Sequence, residues 1–169
     1  MVAFDTTFLT LMFIPEAKHS IPDARDRVNF LIADLNGRGE QIIVPTPALS
    51  EVLVRSGKAR NQIIQELTKS PKFLVAPFDV RAALELSLMS DAAFTSKDKK
   101  GGATGTWVKV KFDRQIVAIA KVFGASKIYS EDADVRAIGG REDIPVFGVA
   151  DINVPDLGLS SFNLTPSGS

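Results

Sequence analysis

Short apolar runs and amphipathic segments alternate along nearly all of this 169-residue chain, and that alternation limits the fold more than any other feature. Apolar runs predict strands over residues 1–4, 41–44, 73–76, 127–129 and 145–149. Between them lie helical patterns at 8–13, stopped by Pro15, at 20–37, from the Pro45-Thr46-Pro47 start, at 60–69, from Asp79 to about 90, and from Asp113 to Gly124. Strand and helix in turn are the signature of an α/β fold, a parallel sheet covered on both faces. The length suits one domain with a sizeable core. We read that domain as 1–150, with a loop insertion at 91–110 and a C-terminal tail at 151–169 whose end is expected to be disordered.

Local signals set the expected boundaries. Val28, Leu31, Ile32 and Leu35 make one amphipathic face, closed by Gly37. Thr46 is expected to cap a helix with Pro47 in its first turn, where the missing amide hydrogen has no partner to lose. Phe112, Ile116, Ile119, Ala120 and Phe123 recur at the spacing of one buried helical face, with Asp113 opening that helix and Gly124 ending it. Residues 91–110 are the least regular stretch and contain Gly101-Gly102 and Gly105, so they read as a mobile loop.

In open parallel sheets the binding crevice forms at the carboxyl ends of the strands. Asp5, Glu51 and Asp132 each follow a predicted strand, and Asp113 opens a helix that leads back to one. Taken singly, each has a plain structural reading as a helix cap or a first-turn acid. Four acids on one edge are harder to account for that way. Carboxylates gathered together repel and need a cation. Magnesium or manganese, hard ions that prefer oxygen ligands, meet that need and can drive phosphodiester hydrolysis.

Composition removes the competing chemistries. The chain has no cysteine, which excludes disulfides, thiolate zinc sites and cysteine nucleophiles. Its one histidine, His19, lies in a polar stretch and reads as a surface loop residue. No G-x-S-x-G elbow is present for a serine triad. Twenty basic residues balance twenty acidic ones, so a nucleic-acid partner must be held by a local patch or through metal ions. Between residues 97 and 114 stand Lys97, Lys99, Lys100, Lys109, Lys111 and Arg114 against two acids. That stretch is either a solvated loop or a flap that meets RNA phosphates beside the acidic site. With no run of about eighteen apolar residues and no basic-then-apolar start, the expectation is a cytoplasmic protein without a membrane segment.

Ala3-Phe4-Asp5-Thr6-Thr7, Ser50-Glu51-Val52, Asp113-Arg114-Gln115-Ile116 and Tyr129-Ser130-Glu131-Asp132, in that order, resemble the PIN-domain family, most of all its VapC-type toxins. The resemblance implies a three-layer α/β/α sandwich around a central parallel sheet and Mg²⁺- or Mn²⁺-dependent endoribonuclease activity. It also implies that Asp5, Asp113 and Asp132 ligate metal, while Glu51 binds a second ion or holds a metal water. Ser130 matches the hydroxyl position that orients the acidic turn, where threonine is commoner. Asp134 matches a position that is sometimes acidic, an auxiliary role, and Glu131 is expected to point away. RNA is the implied substrate, a small antitoxin the implied partner, and a homodimer through the early helices the implied assembly.

Three other readings compete. A PIN nuclease of RNA processing or repair would work without an antitoxin. An inactive PIN-like domain would serve as an RNA-binding scaffold. A phosphatase using Asp5 as nucleophile would want an acid two residues on, where Thr7 stands.

Overall fold

Val2, Ala3 and Phe4 are buried on both sides of their strand, which requires a layer of helices above and another below. The computed structural model describes residues 1–100 and 102–154 and has that arrangement. Strand β1 (Val2–Phe4) leads into helices α1 (Thr6–Phe13) and α2 (Ala24–Gly37). Then come β2 (Ile42–Pro45), α3 (Thr46–Arg55), α4 (Arg60–Lys69) and β3 (Phe73–Ala76). After α5 (Val80–Thr95) and α6 (Trp107–Val122) follow β4 (Ile128–Tyr129), α7 (Ala133–Arg141) and β5 (Val146–Phe147). The five strands are all parallel, in the order β3-β2-β1-β4-β5. The chain is thus a three-layer α/β/α sandwich. Among the described residues no helix is long and apolar enough to cross a membrane.

Strand order explains the layers. From β1 the chain moves outward in one direction to β2 and β3, then crosses back to β4 and β5 on the other side. Parallel crossovers keep one hand, so reversing the direction of travel moves the covering helices to the opposite face. Val2, Phe4 and Val44 accordingly pack with Phe8, Val28, Ala48 and Ile63 from α1 to α4. The alternate residues Ala3, Ile43 and Ile128 pack with Ala82, Val117 and Ile138 from α5 to α7. Each large side chain buried this way contributes roughly 1.5–3 kcal/mol. The reversal leaves a crevice beyond the carboxyl ends of β1 and β4, where they pair through Ala3–Ile128 and Phe4–Tyr129.

Several boundaries depart from the sequence reading. The stretch 91–110 is not one loop: α5 continues to Thr95 and α6 starts at Trp107, leaving 96–106 as the connection. Asp113 therefore does not open its helix but lies nearly two turns inside it, and Thr106 is the cap, its hydroxyl accepting from Lys109 N at 3.4 Å. The buried face of α6 is also rotated from the expected one. Val110, Asp113, Arg114 and Ile116 to Ala120 are buried, whereas Phe112 is 42% exposed. Thr46 caps nothing; it is the first residue of α3, and its hydroxyl accepts from Phe78 N on the neighbouring loop. Asp79, as expected, caps α5 through Ala82 N at 3.0 Å, and Gly124 ends α6 with φ +76°. Most of the expected tail, from residue 155 on, lies outside the described residues.

Candidate metal centre

The site is assembled from three backbone turns and one helix face. Asp5 follows β1 and caps α1, its Oδ1 accepting from Thr7 N at 2.9 Å and Phe8 N at 3.1 Å. Ser130 follows β4 and is fully buried; its hydroxyl donates to Asp5 Oδ2. Ser130 Oγ also accepts from Asp132 N at 3.0 Å, so one hydroxyl ties the ends of two adjacent strands together. Phe4, Phe8 and Tyr129, whose rings lie 5.4–5.6 Å apart, form an aromatic block against this contact. Burial pushes the Asp5 carboxyl up to about 7, against the lowering effect of its hydrogen bonds to Ser130, Phe8 and Thr7.

Asp132 caps α7, with Oδ1 accepting from Asp134 N at 2.8 Å. Asp134 is buried in the first turn of that helix and accepts from Thr104 N at 2.7 Å and Gly105 N at 3.1 Å. These bonds fasten the α5–α6 connection to the acidic turn. A glycine suits the close approach there: a Cβ at Gly105 would stand 2.4 Å from Asp134 Oδ2, and one of the two would have to shift. From α6, Asp113 completes the group: one oxygen each of Asp113, Asp132 and Asp134 lie within 4.8 Å of one another.

Lys109 enters this cup from one helical turn before Asp113. Its ammonium lies 2.9 Å from Asp113, 2.7 Å from Asp132 and 2.7 Å from Asp134. Burial works against its charge, but hydrogen bonds to all three carboxylates outweigh that and raise its pKa. Burial also lifts Asp113 to about 6, opposed by the Lys109 hydrogen bond and assisted by the charges of Asp132 and Asp134. Asp134, held first by Lys109 and then by backbone amides, is pulled below the usual carboxylate range despite burial.

Compared with the sequence reading, Asp113 and Asp132 do converge, whereas the Asp5 carboxylate, expected as a metal ligand, is not in that group and accepts instead from Ser130, Thr7 and Phe8. Asp134, expected as auxiliary, is a full member of the cluster. Glu51 is not a member: it lies half-buried in the second turn of α3, and its carboxylate makes no hydrogen bond or ion pair among the described residues. Glu131 turns away, as expected, and accepts from Val149 N.

Three of the six cations expected to face RNA are engaged within the protein. Lys109 fills the acidic cup. Arg114 is 3% exposed, donates to Lys99 O at 2.5 Å and stacks against Trp107. It lines a separate 170 Å³ cleft with Met89, Ser96 and Arg141. Lys97, Lys99 and Lys111 are on the surface, and Lys100 is half-buried with its ammonium on Gly105 O at 2.8 Å. Lys109 was legible as an i,i+4 partner of Asp113 once the helix was extended to include it.

The donor set is made only of carboxylate oxygens already converging on a cation, a fit for Mg²⁺ or Mn²⁺ rather than for a softer metal. No family model matches the chain, and no curated protein matches it.

Proposed function

We propose that this chain is a Mg²⁺- or Mn²⁺-dependent endoribonuclease of the PIN type, acting as the toxin of a toxin–antitoxin pair. One observation carries the nuclease reading: Asp113, Asp132 and Asp134 bring their oxygens together at the crevice where the sheet changes direction. Bound there, a divalent ion would supply Lewis-acid activation of a phosphodiester and of the attacking water. Asp113, Asp132 and Asp134 would hold it. Asp5 and Ser130 keep the acidic turn in register with β1, beside the buried rings of Phe4, Phe8 and Tyr129. Lys97 and Lys99 in the α5–α6 connection and Lys111 on α6 are exposed and would meet RNA phosphates.

The test is incubation of the full-length protein with labelled RNA in Mn²⁺ or EDTA. Cleavage in Mn²⁺ that is absent in EDTA and in Asp113→Asn supports the reading; cleavage that survives EDTA and that substitution rejects it. The toxin role and a homodimer rest on the sequence resemblance alone. A small DNA-binding protein encoded beside this chain supports the first, and a dimeric mass in solution supports the second.

The inactive-scaffold reading has one observation in its favour. The ammonium of Lys109 already satisfies all three carboxylates. A folded protein that binds RNA but neither Mn²⁺ nor a scissile product would establish it.

A further inference from the structure

Lys109 spends each of its three N–H donors on a different carboxylate: Asp113 at 2.9 Å, Asp132 at 2.8 Å and Asp134 at 2.7 Å. That is a complete resting state for the ammonium, but an incomplete one for the acids, since a single positive charge faces three negative ones. Two of the three carboxylates do not depend on Lys109 for their position. Asp134 is held independently by Thr104 N and Gly105 N, and Asp132 by Asp134 N. The lysine side chain is 41% exposed, against 9% for Asp113 and 6% for Asp134, so it closes the mouth of the cup and has a path to solvent. Its four-carbon stem gives it the freedom to take that path.

We propose that Lys109 is a tethered competitor for the divalent ion, occupying the cup until the metal displaces it, so that competition sets the metal affinity. This rests on the metal-centre reading above and adds the regulation of that same site. A site open for only about a tenth of the time binds its ligand roughly tenfold more weakly than the open form would.

The experiment is calorimetric titration of Mn²⁺ into the full-length protein and into Lys109→Met, counting only binding that Asp132→Asn abolishes. The expected result is roughly tenfold tighter binding by the variant. In parallel, amine acylation of the wild-type protein, read by mass spectrometry, should modify Lys109 several-fold more in saturating Mn²⁺ than in EDTA, with Lys121 as internal reference. Equal or weaker Mn²⁺ affinity in the variant overturns the competition and leaves the metal centre standing. If the folded wild-type and variant both fail to bind Mn²⁺, the metal-centre reading falls and the competition with it. Should Lys109→Met not fold, the acylation experiment decides: unchanged Lys109 labelling while Mn²⁺ binds overturns the proposal.

Discussion

Helix α6 carries two lysines that each gather carboxylates from other parts of the fold, with opposite outcomes. Near its C-terminal end, Lys121 bridges Glu85 of α5 at 2.6 Å and Glu142 beyond α7 at 2.7 Å. Both glutamates are partly solvated, and hydrogen bonds to Glu142 and Glu85 raise the lysine pKa with burial opposing. Near the other end, Lys109 meets three aspartates, two of them buried at the end of a sheet. The first node is a strap between helices, whose charges water can screen. The second is an acid basin that one lysine cannot neutralise. Identical ion-pair chemistry is structural where solvent shares the charge and becomes a candidate functional centre where the backbone forces the acids inward.

The largest expected difference between the two nodes is in activity. Asp113→Asn should lower Mn²⁺-dependent RNA cleavage by at least about a hundredfold while leaving the circular dichroism spectrum unchanged. Glu142→Gln at the other node should leave cleavage within about twofold of wild type, because that pair contributes no group to the acidic cup. Comparable losses in both would erase the distinction.

Packing gives the next largest effect. Gly105→Ala must push Asp134 or the α5–α6 connection aside and should cost about 1–3 kcal/mol in denaturant unfolding, with weakened Mn²⁺ binding. A neutral outcome would show that the connection is not fixed to the acidic turn.

A third difference is in pH dependence. Asp5 and Asp113 have folded-state pKa values raised to about 7 and about 6, so the native state keeps protons that the unfolded chain releases near 4. Stability of the metal-free protein should therefore fall as pH rises from about 4 to about 7, by about 1.4 kcal/mol per pH unit for each proton retained. Asp5→Asn keeps the cap to Thr7 and Phe8 and should flatten that slope in EDTA, as read by midpoint temperature between pH 4.5 and 7.5. A slope unaffected by Asp5→Asn would mean that burial does not hold the proton there.

The smallest effect is expected at the strap: Lys121→Met should change unfolding free energy by no more than about 1 kcal/mol and leave Mn²⁺ affinity unaltered. A larger loss would make the two nodes energetically alike.

Much of this arrangement was legible in the chain, and the failures have physical causes. Helix α4 and strand β3 fall at the expected residues because their apolar periods are clean and Pro71 separates them. The carboxyl-edge positions of Asp5 and Asp132 were readable because strand ends fix them. The start of α6 was hidden: Trp107-Val108-Lys109-Val110-Lys111 alternates like a strand, and Gly102 and Gly105 before it read as a longer loop. Placing Asp113 first in its helix followed from that, and so did treating Lys109 as a surface cation. Its meeting with Asp132 and Asp134, more than twenty residues ahead, is a tertiary fact that no local pattern carries. Glu51 shared the strand-end position of the others, yet its place in the second turn of α3 keeps it out of the cluster.

The pairing of β1 with β4 also governs when the acidic group can form during synthesis. The hydroxyl that holds the Asp5 carboxylate belongs to a residue 125 positions later in the chain. A nascent chain ending before Ile128 has Asp5 and Asp113 but neither the strand nor the turn that would unite them. No fragment that stops short of Ile128 can assemble the cup, so in a growing chain the acidic group closes only after β4 has emerged and found β1.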